Sequence, residues 1–197
     1  MTSFSERLLP VMEPFIVRNH LPYVSRLESR EPAAIDLAVI HCTELPDLAT
    51  ARKFGEKIHY ADSGTGNSGH YYIEQNGKIE QWVPDDRIAH HVRGFNERSI
   101  GIELDNKGRY PLWFDSRQQQ MTERYTLPQL NSLIGLLTRL SVLLPSLQWI
   151  AGHEYLDTTQ VPSTDNPALL VNRKKDPGPR FPWKEIVPLI NLELFRH

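Results

Sequence analysis

A single cysteine, Cys42, stands in the 197 residues of this chain. No disulfide can form within it, which excludes the cross-linked scaffolds of small secreted domains. Long apolar runs are also missing, and a helix needs about 20 such residues to cross a bilayer. The apolar stretch at 8–17 is broken by Pro10, Glu13 and Pro14, and no small-residue cleavage site follows it. No signal peptide is read there, so a cytoplasmic location is expected. Nor does one sign of charge dominate: 22 Lys and Arg face 24 Asp and Glu, a formal net charge of −2. That balance sets up no general field to recruit nucleic acid or an anionic membrane, so neither is expected as a partner. Internal repeats and low-complexity tracts are absent as well. What is left is one soluble, globular chain with 40% hydrophobic residues, long enough to bury a substantial core.

Residues 1–34 read as an arm punctuated by Pro10, Pro14, Pro22 and Pro32. Its large apolar residues (Leu8, Leu9, Phe15, Ile16, Leu21, Tyr23) predict that it packs on a domain formed by residues 35–197. The run 34–40 is almost wholly apolar and reads as a buried strand ending at His41. Residues 48 to about 60 have helical spacing, with Phe54 and Ile58 on one face. The glycine-rich stretch 63–69 matches no phosphate-binding pattern and reads as a mobile rim loop. Gln75-Asn76-Gly77 lies between two strand-like runs and predicts a hairpin with a type I′ turn. Residues 99–104 form another short strand, and 105–125 are irregular, anchored by Trp113 and Phe114. The clearest helix is 126–144, opened by a Thr126/Gln129 capping-box pattern and carrying an apolar face of Leu130, Leu133, Ile134, Leu137 and Leu140. A strand at 147–152 ends at His153, a polar insertion fills 154–172, and a last helix runs from 182 to about 194. Strands alternating with helices, plus one hairpin, predict a mixed α/β or α+β fold: a central mixed sheet flanked by helices.

The chemistry converges on Arg173-Lys174-Lys175-Asp176-Pro177-Gly178-Pro179. Pro177, Gly178 and Pro179 restrict the backbone around one carboxylate. His41 and His153 each follow an apolar strand, and functional groups gather at the carboxyl ends of strands in open sheets. Two imidazoles and a carboxylate make a suitable catalytic zinc set, with the fourth position left to water. Each histidine alone also fits a hydrogen-bonded structural role. Glu103, near the end of the 99–104 strand, suits a general base if it faces that water, and a solvated strand-end residue otherwise. Lys174 lies two residues before Asp176. In extended backbone both side chains share a side, so Lys174 suits an oxyanion stabiliser while Lys175 reads as surface. His70, His90 and His91 are further candidates, of which at most one of the adjacent pair faces a cleft. His59 and His197 read as surface residues, Glu154 as pointing away from the site, and Cys42 as a small buried residue.

Five segments occur together in one order: Val39-Ile40-His41-Cys42-Thr43, His70-Tyr71-Tyr72-Ile73 with Asn76-Gly77, Ser99-Ile100-Gly101-Ile102-Glu103, Gly152-His153, and the Arg173 to Pro179 segment. In these the chain resembles the zinc-dependent N-acetylmuramoyl-L-alanine amidases of the AmpD and peptidoglycan-recognition-protein superfamily, over roughly residues 35 to 190. The resemblance implies that superfamily's mixed sheet with flanking helices. It implies one Zn²⁺ ion held by His41, His153 and Asp176, Glu103 as the water-activating acid residue, and Lys174 as support for the tetrahedral intermediate. It implies hydrolysis of the amide between the lactyl group of N-acetylmuramic acid and L-alanine, with His70, His91 and Arg93 as substrate contacts and Arg98 as an alternative to Arg93. The expected substrate is a muropeptide, foremost the 1,6-anhydro forms of cell-wall recycling. The alternatives are a muropeptide-sensing module that does not cut, and an endolysin acting on intact peptidoglycan. Two features depart from the AmpD type: Cys42 stands where asparagine is usual, and the segment from His153 to Asp176 is longer, so it is expected to shape one wall of the cleft. Aspartate rather than cysteine as third ligand is closer to the bacterial enzymes than to the animal recognition proteins.

Overall fold

The computed structural model describes residues 14–195; Leu8, Leu9 and His197 of the readings above lie outside that range. The strand β2 (Leu37–Cys42) is buried at every position. A run with apolar side chains on both faces suits a strand that is covered on both. Around it forms a sheet of β1 (Ile16–Arg18), β3 (Tyr71–Ile73), β4 (Ile79–Gln81), β5 (Ser99–Leu104), β6 (Trp149–Gly152) and β9 (Glu193–Leu194). The strand order is β1-β4-β3-β5-β2-β6-β9. Only β3 and β4 pair antiparallel, so the sheet is mixed, as expected. The carboxyl ends of β5, β2 and β6 therefore reach the same edge. Register pairs His41 with Glu103 and Ile40 with Gly152, so His153 emerges beside His41.

Helix α2 (Leu127–Leu143) covers one face of this sheet through Leu130, Leu133, Leu137 and Leu140, packed against Ile40, Ile100 and Ile102. Thr126 caps it, its Oγ1 accepting from the Gln129 N–H at 3.2 Å. The return half of the capping box is not made. Gln129 turns inward instead, donating to the carbonyls of Ile73 (2.9 Å) and Asp105 (3.1 Å), and so ties the helix to the ends of β3 and β5. On the other face Leu37, Val39 and Ala151 pack with Val92. Tyr72, stacked on Trp82 with Tyr23 and helix α1 (Leu48–Gly55) nearby, forms a further apolar cluster beneath the cleft.

Several local readings change. Helix α1 stops at Gly55, short of residue 60. The 63–69 segment is not a free rim loop: Thr65 and Ser68 are buried, and the Thr65 carbonyl accepts from the N–H groups of His59 and Tyr60, both at 2.9 Å. The hairpin forms, but positive φ falls on Gly77 alone (+90°), with the Gly77 N–H donating to the Glu74 carbonyl at 2.9 Å. That is a tight turn followed by a left-handed glycine, not the type I′ turn, which needs two positive φ values. The last helix is shorter than read: α4 (Trp183–Ile186) passes into a 3₁₀ turn (Val187–Leu189), and the chain then enters the sheet as β9. Pro188 supplies no N–H to continue the helix. In the arm, β1 joins the sheet and Leu21, Tyr23 and Leu27 are buried, whereas Phe15 is 84% exposed. The 154–172 segment holds a short helix α3 (His153–Leu156) and a hairpin of β7 (Gln160–Pro162) and β8 (Leu170–Asn172). Among the described residues, no helix is long and apolar enough to cross a membrane.

Candidate metal centre and cleft

At the carboxyl edge of β2, β5 and β6 lies a cleft of about 700 Å³, a size that suits a small-molecule ligand. His41, His153 and Asp176 meet at its floor, all three buried. One ligand atom from each lies within 4.8 Å of the others. Both Nδ1 atoms converge on one carboxylate oxygen, Asp176 Oδ2, at 3.0 Å from His41 and 3.2 Å from His153. A tetrahedral Zn²⁺ with bonds of about 2.0–2.1 Å sets its ligands about 3.3 Å apart. The other oxygen, Asp176 Oδ1, is buried and has no hydrogen-bond partner among the described residues. A buried carboxylate oxygen left in that way is costly unless a cation meets it. The three side chains thus fit a single small dication.

Protonation agrees with this donor set. Burial, outweighing the opposing influence of the neighbouring Asp176 carboxylate, lowers the His41 pKa to about 4, so its imidazole is neutral and able to ligate. Burial alone would raise the Asp176 carboxyl. The His153 and His41 side chains, with the Lys174 ammonium, overcome that and hold it well below the usual carboxylate range. Glu103 Oε1 lies 4.0 Å from His41 Nδ1. Burial and then the Asp176 charge push its pKa up to about 8, against the pull of Lys174.

Lys174 lines the same cleft, while Lys175 Nζ turns away to the Gln119 carbonyl at 2.5 Å, as alternation along an extended segment requires. The loop that carries them is held on several sides. The Tyr125 hydroxyl donates to the Pro177 carbonyl at 2.7 Å, and the Glu154 N–H donates to the Asp176 carbonyl at 2.9 Å. Gly178 adopts φ +81°, with the Met121 sulfur where a Cβ would point.

The other candidates divide. Arg93 is exposed on the cleft rim. Arg98 is drawn off by an ion pair with Asp36, its Nε 2.6 Å from Oδ1. His90 and His91 both line the cleft, against the expectation that one would turn away. Residues 91–95 form turns rather than a strand, so side chains do not alternate there. His70 does not line the cleft and is fully buried, which corrects its reading as a substrate contact. Its Nδ1 accepts from the Gly101 N–H and its Nε2 donates to the Arg87 carbonyl, both at 3.0 Å, so the ring knits β3 to β5. Burial and the neighbouring Arg30 keep it neutral. None of residues 154–172 lines the cleft either. The β7–β8 hairpin instead braces the wall from behind, Ser163 Oγ and the Thr164 N–H donating to the Phe114 carbonyl at 2.7 and 2.9 Å.

One element escaped the sequence reading. Arg109 donates from Nε to Glu44 Oε1 (2.7 Å) and from Nη2 to Oε2 (2.8 Å), while its Nη1 reaches the Asn172 carbonyl at 2.8 Å. This buried fork joins the segment after His41 to the segment before Lys174. No spacing in the sequence links positions 44 and 109.

The N-acetylmuramoyl-L-alanine amidase family profile matches residues 31–179. N-acetylmuramoyl-L-alanine amidase AmiD of Escherichia coli K12 is 31% identical over an alignment of 134 residues that covers 60% of this chain and 43% of AmiD. The match thus spans less than half of that relative's length. Among solved structures, N-acetylmuramoyl-L-alanine amidase LysC from Clostridium intestinale superposes with a TM-score of 0.64 at 24% identity, covering 91% of this chain and 99% of LysC. AmiD from E. coli, in complex with the substrate anhydro-N-acetylmuramic acid-L-Ala-D-γ-Glu-L-Lys, gives 0.60 at 23% identity, covering 79% of this chain and 57% of AmiD. Drosophila PGRP-LB gives 0.55 at 18% identity over 78% of this chain and 88% of its own. These likenesses show the amidase and recognition-protein fold. The profile match takes in β2, β5, β6 and the Asp176 loop, and the chain belongs to the N-acetylmuramoyl-L-alanine amidase family.

Proposed function

We propose that this protein is a zinc-dependent hydrolase of peptidoglycan fragments, cutting the amide between the lactyl group of N-acetylmuramic acid and L-alanine. One observation carries the reading: three buried ligand atoms lie within 4.8 Å of one another, with Glu103 4.0 Å from one ligand and Lys174 on the same cleft. His41, His153 and Asp176 hold the ion. When bound, Zn²⁺ supplies Lewis acidity to the scissile carbonyl. Glu103 removes a proton from the attacking water as its oxygen bonds to the lactyl carbon. It then delivers that proton to the alanine nitrogen as the C–N bond breaks. A pKa raised toward neutrality suits both transfers, although a dication at the three ligands opposes part of the rise. The Lys174 ammonium stabilises the negative charge that gathers on the carbonyl oxygen. Arg93 on the rim is placed to meet a carboxylate of the stem peptide, a class of substrate that carries several.

The complete set of His41, Glu103, His153, Lys174 and Asp176 argues against a sensing module that binds without cutting. The substrate bound to the similar AmiD favours soluble anhydro-muropeptides over intact wall, and a cytoplasmic place in recycling goes with that choice. Zinc-loaded protein should release free stem peptide from anhydro-muropeptides and little from intact sacculi, identified by mass. Efficient digestion of sacculi would favour the endolysin reading instead, and release of peptide from neither would count against the hydrolase.

A further inference from the structure

Within the proposed ligand set His91 hydrogen-bonds to His41, and the hydrogen bonds around it run in one direction. The Phe95 carbonyl can only accept, so the Ser99 hydroxyl, 2.7 Å away, commits its single proton there. Ser99 Oγ then faces His91 Nε2 at 3.2 Å as an acceptor, which places the His91 proton on Nε2. His91 Nδ1 is left with a lone pair, 3.0 Å from His41 Nε2. His41 must therefore carry its own proton on Nε2. Its bare Nδ1 points at Asp176 Oδ2, 3.0 Å away. The opposite order of protons would leave the short Ser99–Phe95 contact without a donor.

We infer that His91 is a positioning residue: it sets the tautomer and ring orientation of His41, presenting Nδ1 to a divalent metal. This rests on the metal reading above and reassigns His91 from the substrate contact first expected. The surroundings hold His91 in place for that role. Asn96 Oδ1 accepts from the N–H groups of His91 (3.0 Å) and Val92 (2.8 Å), pinning the backbone. The ring lies on Gly101 of β5, where a Cβ would come within 2.6 Å of it. A side chain at 101 would push the imidazole off the line to His41. Outer partners of metal-bound histidines fix tautomer and basicity, and losing one costs about 10–100-fold in metal affinity.

Two variants of nearly equal shape separate acceptor from bulk. His91→Asn keeps an oxygen acceptor close to the Nδ1 position; His91→Leu removes it. Zinc affinity is read by competition with a chromophoric chelator, and the thermal unfolding of each metal-free variant is recorded alongside. The expected result is a loss of about 10–100-fold for His91→Leu and about threefold or less for His91→Asn. Ser99→Ala, a smaller change that frees the tautomer, is expected to weaken zinc by an intermediate factor. Equal affinity for wild type and His91→Leu would overturn the inference, as would an equal loss in both His91 variants, which would mark a space-filling role. Wild-type protein that binds no zinc would overturn the metal reading itself, so the two failures are told apart.

Discussion

His41 and Glu103 stand directly opposite one another in the paired strands β2 and β5, with imidazole Nδ1 4.0 Å from carboxyl Oε1. One strand register thus sets a proposed metal ligand and the proposed base together. Because side chains alternate along a strand, a slip of one residue would carry Glu103 to the α2 side of the sheet. The packed Leu37, Val39 and Ala151 on one face and Ile40, Ile100 and Ile102 on the other oppose any such slip.

Glu103→Gln keeps the shape of the side chain but removes its capacity to take a proton. It should bind zinc in the wild-type ratio and lose about 10²–10⁴-fold in kcat. Lys174→Ala should likewise keep its metal and lose rate. Metal analysis beside steady-state kinetics checks both; a Glu103→Gln enzyme of ordinary rate would contradict the proposed role.

Asp176→Ala removes the oxygen on which both histidines converge. Metal per chain, measured after gel filtration, should fall from near one to near zero. Retention of stoichiometric zinc would remove Asp176 from the ligand set.

The raised Glu103 pKa makes a prediction about the metal-free protein. The folded state holds this proton up to about pH 8, against an ordinary value of 4.5. The associated stability is fully present below about pH 4.5 and is lost as pH rises through 8. Chelator-treated wild type should therefore lose Tm relative to Glu103→Gln between these pH values, and added zinc should narrow the gap. Parallel Tm curves for the two proteins would show that Glu103 titrates normally.

Gly178→Ala tests how firmly the loop holds Asp176. The backbone there has φ +81°, and a Cβ would lie 2.7 Å from the Met121 sulfur. A loss of about 1–3 kcal/mol is expected from the conformation alone, seen as a lower denaturation midpoint together with weaker zinc binding. Wild-type values of both would show the loop to be more adaptable than its contacts imply.

What the sequence disclosed, and what it hid, follows from range. The apolar run before His41, the helical face of α2 and the Pro-Gly-Pro loop around Asp176 are local signals, and each was legible. Strand-end placement then brought His41, His153 and Glu103 to one edge. Features set by distant pairing were not legible. Residues 193–194 form a strand only because β6 offers an edge to pair with. His70 is buried because its ring bridges Gly101 and Arg87, and the Glu44–Arg109 fork joins positions with no shared motif. His90 and His91 share a cleft because the chain turns there, so strand alternation does not govern their side chains.

Metal-dependent cleavage of a single amide can be followed atom by atom. Zinc-loaded protein is incubated with an anhydro-N-acetylmuramyl tripeptide in water enriched in ¹⁸O, with a chelator-treated sample in parallel, and the products are identified by mass. The expected products are an intact peptide beginning with unlabelled L-alanine and a lactyl carboxylate carrying heavy oxygen, with no reaction after chelation and recovery on adding Zn²⁺. An uncut substrate, or cleavage that persists undiminished without metal, would contradict the proposed metal-dependent hydrolysis.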